Sequence, residues 1–291
     1  SVLTVLNLIR LDPARIGELS LRGVELTGSV YRGGSSIESD LAALLKTESD
    51  SSDEATTAVI AIQDARAMLV DATTGKRWSL DQANLDLRIT EGQIEGEIAG
   101  VASETGGSDG AIESTFRVDP KESIAAQDAK WTLSLHAESF PLSVADLMVR
   151  RLSETVEGLP EHVAGDTTGQ IAIRGNGDGS LHAKLDQVRV RNLQTVFASP
   201  LPHRWSNSLA TFDGKIAVSG EWLVGQEMNV TTDFASANID GAFPTSISLT
   251  GADDNVLSWL QTLQGKARVD VDLAALDRAL PGLIPVRDQA E

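Results

Sequence analysis

The chain carries four histidines, and their spacing decides whether a metal or acid–base site is expected. His136, His162, His182 and His203 each lie 20 or more residues from the next one. Zinc helices of the HExxH type need two histidines one helical turn apart. The spacing therefore excludes that kind of zinc site, and each histidine is predicted to lie at the surface or in a turn.

Two glycine-containing stretches are candidates for binding loops. Residues 73–76 (TTGK) resemble a phosphate loop only superficially, because the first glycine is missing and Arg77 stands where Ser or Thr is required. Residues 175–179 (GNGDG) offer oxygens to calcium, but the carboxylate-rich second half of an EF-hand loop does not follow. A hairpin turn is predicted there instead.

Nucleophilic chemistry has little support in the sequence. No GxSxG elbow occurs, and the absence of cysteine excludes disulfides, thiolate metal sites and a cysteine nucleophile. The 42 acidic residues keep open the hypothesis of a hydrolase that uses a pair of carboxyl groups to cleave glycosidic bonds. Aromatic residues, on which sugars stack, make up only 4% of the chain. We therefore predict a protein that is not an enzyme, with no catalytic residue, metal or cofactor.

Length and charge narrow the class of partner. The chain has 291 residues, with 24 basic and 42 acidic residues and a net charge of −18. Such a charge leaves no basic surplus to replace the counterions of a nucleic acid, so nucleic acid is excluded as a partner. Apolar residues make up 41%, which is enough for a core, and the length predicts one large or two ordinary domains.

Period-2 alternation of apolar and polar residues is the main structural signal. It runs, for example, through residues 85–89, 131–136 and 171–174. Each such stretch predicts a strand with one apolar and one wet face, which is typical of antiparallel sheets. The phase slips by one residue at Gly23 and again between Leu185 and Val188. Slips of this kind indicate β-bulges.

Helical patterns are short and few. We expect helices over Ile37–Leu45, from Ser143 towards Val156, from Asp253 or Asp254 to Gly265, and from Asp272 to Pro281. Residues 47–57 are acidic, serine-rich and aperiodic, which predicts a surface loop.

A short pattern of glycine, a polar residue and alternating apolar residues returns four times, beginning at Gly92, Gly169, Gly214 and Gly265. It predicts strands that are each entered through a tight glycine turn as units of a larger sheet. The alternative is that any antiparallel sheet re-enters its strands through glycine.

Several passages resemble AsmA/TamB-type proteins. The early strand and short helix of that family correspond to residues 9–26 and 40–45, and the hairpin that follows corresponds to residues 65–87. Residues 140–147 followed by the Gly169 strand resemble the family's recurrent unit, and residues 260–280 repeat that unit loosely. The resemblance covers most of the chain, although its motifs are mainly alternation and glycine.

The resemblance implies a mainly β fold: a long, curved antiparallel sheet forming an open β-groove or β-taco, with a few short helices. It implies an N-terminal β-rich segment at residues 1–165 and a second groove segment at residues 166–291. The parent protein is expected to lie in the periplasm, anchored in the inner membrane. Partners would be phospholipid acyl chains and other envelope proteins, in support of phospholipid transport and outer-membrane biogenesis.

The ends of the chain fit this expectation. No run of 18 or more apolar residues occurs, and residues 1–9 lack the basic region and cleavage site of a signal peptide. We therefore expect a fragment whose membrane anchor lies elsewhere in the parent chain.

The apolar strand positions are the candidate groove residues. They are Leu19, Leu21, Leu85, Leu87, Ile94, Ile98, Leu133, Leu135, Ile171, Ile173, Ile216 and Val218. Two arrangements remain open for them: the floor of an open groove, or the core of a closed sandwich. The closed arrangement fits the alternative function, a secreted β-sandwich or solenoid that acts as an adhesin or carbohydrate-binding module.

Overall fold

A computed structural model describes residues 17–31, 34–36, 58–90, 93–107, 109–119, 130–144, 160–197, 204–220, 222–244 and 264–279. The strands are β1 (Glu18–Arg22), β2 (Glu25–Tyr31), β3 (Gly34–Ser35), β4 (Ala58–Asp71), β5 (Arg77–Thr90), β6 (Gln93–Glu104), β7 (Asp109–Asp119), β8 (Lys130–Pro141), β9 (Pro160–Asn176), β10 (Leu181–Phe197), β11 (Trp205–Ser219), β12 (Trp222–Thr231), β13 (Ala235–Pro244) and β14 (Gln264–Val271). A 3₁₀ turn covers Leu142–Val144, and one α-helix, α1, covers Leu273–Ala279.

The strands follow one another in a single hydrogen-bonded order. From β14 down to β4 each strand lies beside its neighbour in sequence, and β2 and β3 complete the order beyond β4. The sheet is not closed, since β3 and β14 end this order. The prediction of a mainly β chain with an open sheet and few helices is confirmed.

Two pairings depart from the expected antiparallel pattern. β1 and β2 follow one another along the same edge of β4, and both run parallel to it. Parallel neighbours need a long crossover connection, and residues 36–57 between β3 and β4 supply that length. Periodicity along one strand carries no information about the direction of its neighbour.

The chain divides into two compact units. Unit 1 comprises Ser1–Pro141 with Ala172–Gly179, and unit 2 comprises Leu142–Ile171 with Ser180–Glu291. The division near residue 165 inferred from the family resemblance stays a prediction.

Only one of the two predicted phase slips is a β-bulge. The register between β10 and β11 shifts between Leu185 and Val188, where Gln187 has a φ of 49°, so this bulge is confirmed. Gly23 takes a φ of 64° between β1 and β2, and its N–H donates to the carbonyl of Gln63 at 2.9 Å. The register with β4 is the same before and after Gly23, so the alternation slips there because one strand ends and the next begins.

The repeated glycines play a different part from the predicted one. Gly169 and Gly214 lie inside β9 and β11 rather than in turns before them, with φ of 141° and 127°. A Cβ on Gly214 would come within 2.7 Å of the Cα of Met228, and one on Gly169 within 2.6 Å of the Cα of Val188. Glycine is therefore needed where the backbone of a bulged neighbour approaches closely. Gly92 lies outside the described residues.

A turn at residues 72–74 follows β4. The buried carboxylate of Asp71 accepts hydrogen bonds from the N–H of Thr73 at 2.8 Å and the hydroxyl of Thr74 at 2.7 Å. Gly75 completes the turn at a φ of 73°. Residues 177–179 likewise form a bend between β9 and β10, as the hairpin prediction required.

The helix predicted from Asp272 is confirmed as α1. The Asp272 carboxylate caps it by accepting the N–H groups of Ala274 and Ala275, both at 3.0 Å. Ser143 lies in the 3₁₀ turn, but the rest of that predicted helix lies outside the described residues, as do Ile37–Leu45, the helix expected before Gly265 and the loop at residues 47–57.

Candidate functional site

Unit 1 brings the candidate apolar residues into register across neighbouring strands. The four successive strands β5, β6, β7 and β8 pair in a register that aligns three rows of residues. Side chains that lie directly opposite each other in a row share one face of the sheet. The rows are Ile89–Ile94–Val118–Trp131, Leu87–Gly96–Phe116–Leu133 and Leu85–Ile98–Ser114–Leu135. We call this surface the unit 1 apolar face; it contains six of the twelve candidates.

Two further candidates extend these rows beyond β4. Leu19 and Leu21 on β1 lie opposite Ile60 and Ile62 on β4. Ile60 and Ile62 in turn lie opposite Leu87 and Leu85. The small buried cluster of unit 1 forms here, from Ile60, Ile62, Ala65 and Ala83, with the leucines of β1 and β5 packed against it.

The unit 1 apolar face is only partly covered. All six of its candidate residues, together with Leu19 and Leu21, are half-buried, whereas Ile60 and Ile62 of the cluster are 5% and 9% exposed. Among the described strands, β5 to β8 lie side by side in the sheet, and none pairs across this face. The described residues therefore leave apolar area in contact with water, as one uncovered face of a sheet requires.

Aromatic rings fill the gaps that glycine leaves on this face. A Cβ on Gly96 would lie 2.5 Å from Cζ of Phe116, so the Phe116 ring lies across the β6 backbone. A Cβ on Gly175 would lie 2.3 Å from Nε1 of Trp131, so that indole lies across β9. The two rings therefore occupy the space that side chains at residues 96 and 175 would otherwise take.

A polar cluster borders the far end of the same face. Trp78 lies opposite Leu69 and Glu104 and is 3% exposed. Lys76 lies 5.8 Å above the Trp78 ring centroid and forms an ion pair of 2.5 Å with Glu104. An apolar surface with a charged boundary of this kind suits an elongated ligand that has one polar end.

The opposite face of unit 1 is polar and charged. Arg88, Glu95 and Arg117 lie opposite one another across β5 to β7, and Arg117 pairs with Glu95 at 3.3 Å. Asp86 and Glu97 form the next row. The two faces thus differ sharply in polarity, which the alternation in the sequence predicts.

β9 carries the candidates Ile171 and Ile173. Both are half-buried and alternate with exposed residues at 170, 172 and 174. Ile173 belongs to unit 1, and it shares a strand face with Gly175, over which Trp131 lies. Ile171 belongs to unit 2.

Unit 2 places the remaining candidates among smaller side chains. Val218 lies between Leu181 and Leu223, and Ile216 lies between Ala183 and Gly225. Both candidates are half-buried. A further row, Val188–Phe212–Val230–Ala237–Val269, crosses β10 to β14. The compact cluster of unit 2 is formed by Val190, Leu193 and Ala210, with Leu142, Trp205 and Phe212 against it.

A polar clasp holds the turn between β12 and β13 in unit 2. The Asp233 carboxylate accepts hydrogen bonds from the Ser208 hydroxyl at 2.7 Å, from the Ser208 N–H and from the Leu209 N–H at 3.3 Å. These bonds, those from Ser208 first, lower the pKa of Asp233 below its ordinary value. The N–H of Asp233 donates in turn to Oδ1 of the buried Asn207 at 3.2 Å.

Four apolar members of the unit 1 apolar face were not among the candidate residues: Ile89, Phe116, Val118 and Trp131. The alternation Ile112, Ser114, Phe116, Val118 on β7 is a usable signal, and Ile89 continues the alternation of Leu85 and Leu87. The contact of Trp131 with Gly175 had no signal in the sequence, because the two residues belong to different strands.

The histidines stay scattered. His162 and His182 are exposed. Nε2 of His136 lies 3.6 Å from Oε1 of Glu138, two residues further along the same strand, β8. Over the described ranges, no group of three or more His, Cys, Asp or Glu residues is arranged to hold a metal ion. His203 lies outside them.

Comparison with protein-family models, with curated proteins and with solved structures found no match for this chain. In the part of the chain that the structure describes, no helix has the length and apolar character to cross a membrane.

Proposed function

We propose that this chain binds lipid acyl chains on its apolar sheet face, as a non-enzymatic part of a cell-envelope protein. The observation that carries the proposal is the unit 1 apolar face: three aligned rows that are apolar except at Gly96 and Ser114, and whose apolar side chains are all half-buried. Apolar area that a sheet leaves in contact with water, with polar residues at its border, is a candidate surface for binding an apolar ligand.

The dimensions suit an acyl chain. At about 3.3 Å per residue and about 4.8 Å per strand, three rows across four strands cover roughly 13 by 14 Å. One leaflet of a bilayer core measures about 15 Å, half of the whole. The length of the face is therefore about the thickness of the bilayer leaflet that one phospholipid tail spans.

The energetics need no specific polar contact. Each methylene that leaves water for an apolar surface gains about 0.8 kcal/mol. A partly covered tail of a dozen methylenes would thus gain several kcal/mol, which is enough for binding and weak enough for release. Lys76 and Glu104 at the boundary are suited to a zwitterionic headgroup, because they offer one charge of each sign.

The biological setting follows from the resemblance to AsmA/TamB-type proteins. In such a protein the chain would lie in the periplasm and shield phospholipid tails on their way to the outer membrane. The net charge of −18 would keep its wet face away from anionic headgroup surfaces. No catalytic residue, metal or cofactor is needed for this task.

Uptake of a fluorescent fatty acid by delipidated protein tests the proposal. Leu133→Glu should lower the affinity at least about tenfold, because it places a carboxylate on the apolar face. Ser134→Glu is the matched control: the next residue on β8 is exposed on the polar face, so the same charge there should leave binding unchanged. Ile173→Glu and Ala172→Glu, each of which adds one negative charge, give a second matched pair on β9, because residue 172 is exposed.

The outcomes are distinct. No uptake by the unmodified chain, or an equal loss in both members of each pair, would contradict acyl-chain binding at this face. Native mass spectrometry of the purified chain gives an independent measurement, since co-purified phospholipid should appear as a mass adduct. A glycan array separates the alternative function, because only a carbohydrate-binding module should give hits there.

A further inference from the structure

The outer edge of β14 is a long strand edge without a described partner. β14 spans eight residues, all of them exposed, and among the described strands only β13 pairs with it. Val269 is 58% and Val271 42% exposed. An edge of this length is a template for strand addition, and proteins usually shorten or block such edges. The other end of the strand order carries β3, which has only two residues.

The helix that follows β14 does not cover this edge. α1 begins at Leu273 and contacts β11, which lies three strands inward from β14. The chain therefore turns back over the sheet after Val271. Within the described residues, the outer side of β14 stays open.

The backbone of β14 presents its free groups at alternate residues. The N–H of Asp272 donates to the carbonyl of Phe234 at 2.8 Å, so Asp272 faces β13. The direction of N–H and C=O alternates along a strand, so Asp270 and Arg268 also face β13. Ala267, Val269 and Val271 then direct their N–H and C=O groups outward.

The side chains of β14 are complementary to a reversed copy of the same strand. An antiparallel pair centred on Val269 places Val269 opposite Val269 and Ala267 opposite Val271. The same register places Arg268 opposite Asp270 and Lys266 opposite Asp272. Every charge then meets an opposite charge, and every apolar residue meets an apolar one.

The hydrogen-bond pattern agrees with this register. Because Val269 directs its backbone groups outward, two copies opposite each other form a doubly hydrogen-bonded pair. Arg268 and Asp270 then fall at non-hydrogen-bonded positions, where opposite side chains come closest. Within one chain these two side chains already form an exposed ion pair of 3.2 Å, which the second copy would duplicate across the interface.

We propose that the chain forms a symmetric homodimer by antiparallel pairing of β14 with β14 of a second copy, with the two-fold axis at Val269. Val269 shares a row with Ala237, Val230 and Phe212. The dimer therefore continues the apolar row of unit 2 into the partner. Dimerisation does not depend on lipid binding, so either conclusion can fail without the other.

Charge exchange tests the pairing in the full chain. Sedimentation equilibrium should give twice the 30.9 kDa mass of one chain. Arg268→Asp, or Asp270→Arg, puts like charges opposite each other twice per dimer and should weaken association at least about tenfold. An equimolar mixture of these two variants should associate again, as should the double variant R268D/D270R. Arg189→Asp on the inner strand β10 is the control and should not change the mass.

A single cysteine tests the register, because the native chain has none. Directly opposite hydrogen-bonded residues have Cα atoms about 5.5 Å apart, within the range of a disulfide. Val269→Cys should therefore form a disulfide-linked dimer on oxidation. Ala267→Cys should not link to itself, but should link to Val271→Cys in a mixture.

Two results would overturn the proposal. One is a chain that sediments as a monomer under conditions where its fold is intact by circular dichroism. The other is a dimer that Arg268→Asp and Asp270→Arg leave unchanged, which would place the interface elsewhere. Val269→Pro separates loss of the dimer from misfolding. The N–H of Val269 points away from β13, so proline at this position removes a hydrogen bond to the second copy but none to β13. This variant should therefore lose the dimer and keep the fold of the single chain.

Discussion

The two units use the same alternation to build different surfaces. The apolar rows of unit 1 are made of leucine, isoleucine and aromatic residues, with rings lying over Gly96 and Gly175. The rows of unit 2 contain more small residues, for example Ala183–Ile216–Gly225–Gly241–Gly265. Large side chains leave a broad apolar surface, whereas small ones let neighbouring backbones approach.

The buried polar groups follow the same contrast. Unit 2 buries Ser143, Thr167, Thr195 and Asn207, and Asn207 joins the clasp around Asp233. In unit 1 the buried carboxylate of Asp71 caps a turn at the end of the sheet. Unit 1 therefore presents a partly covered apolar face, whereas unit 2 is shaped by close strand contacts and by the edge of β14, which pairs with no described strand other than β13.

The largest effect is expected at the boundary of the unit 1 apolar face. Trp78→Ala removes an indole that is 3% exposed, and should destabilise unit 1 by about 3–5 kcal/mol. Trp222→Ala, in unit 2, removes an indole that is 36% exposed and should cost less than about 1.5 kcal/mol. Urea unfolding followed by hydrogen exchange of β5 and β12 peptides measures both. Equal effects would remove the distinction between the two sites.

A smaller effect is expected where aromatic rings lie over glycine. Gly96→Ala should destabilise unit 1 by about 1–3 kcal/mol, because the added methyl would come within 2.5 Å of the rigid Phe116 ring. Combining it with Phe116→Leu should recover part of that loss, a coupling that a double-mutant cycle measures.

Gly225→Ala in unit 2 is the matched control for Gly96→Ala. Its Cβ would come within 3.3 Å of the flexible Met228 side chain and would make an ordinary contact of 3.5 Å with Cγ2 of Ile239, so the change should stay within about 0.5 kcal/mol. Additive effects of Gly96→Ala and Phe116→Leu would show that the ring does not depend on the glycine.

The smallest effect is expected at the Asp233 clasp and depends on pH. Because folding lowers the pKa of Asp233, its contribution is complete above the ordinary value of 3.8 and is lost as pH falls through the folded value. Asp233→Asn should therefore destabilise unit 2 at pH 7 by no more than about 1 kcal/mol, since water screens this exposed carboxylate. The difference from the unmodified chain should shrink below about pH 4.

Urea unfolding at pH 7 and pH 3 measures the Asp233 contribution. Asp240→Asn is the control for net charge, because it also neutralises one exposed carboxylate, but on β13 rather than in the turn that holds Asp233. A difference between Asp233→Asn and the unmodified chain that grows as pH falls would have the wrong sign for the clasp.

Much of the fold could be predicted because alternation is a local property. Residues such as Leu133 and Leu135 have to share a face in any strand, and the phase slip after Leu185 marks a bulge without knowledge of the neighbouring strand. The cap at Asp272 is also local, and it begins α1 as predicted. The prediction that the repeated glycines form turns is wrong for Gly169 and Gly214. These two glycines lie where the backbone of a bulge on the adjacent strand comes close, which periodicity along one strand does not indicate.

The candidate site could be predicted only as a set of residues. Which candidates are neighbours depends on register, and one bulge in β5, between Asp81 and Asn84, changes the pairing with β6. The contacts of Phe116 with Gly96 and of Trp131 with Gly175 join strands that periodicity treats separately.

The sequence by itself determined that the chain is made of strands with one apolar and one charged face, and that it carries a large acidic excess. Side-chain period and composition are local or additive, so no partner is needed to read them. Only the tertiary structure decided that β1 and β2 run parallel to β4, that three apolar rows align across β5 to β8, and that β14 ends the strand order. Those features depend on pairing between distant segments, whose direction and register are fixed by long connections and bulges rather than by any single strand.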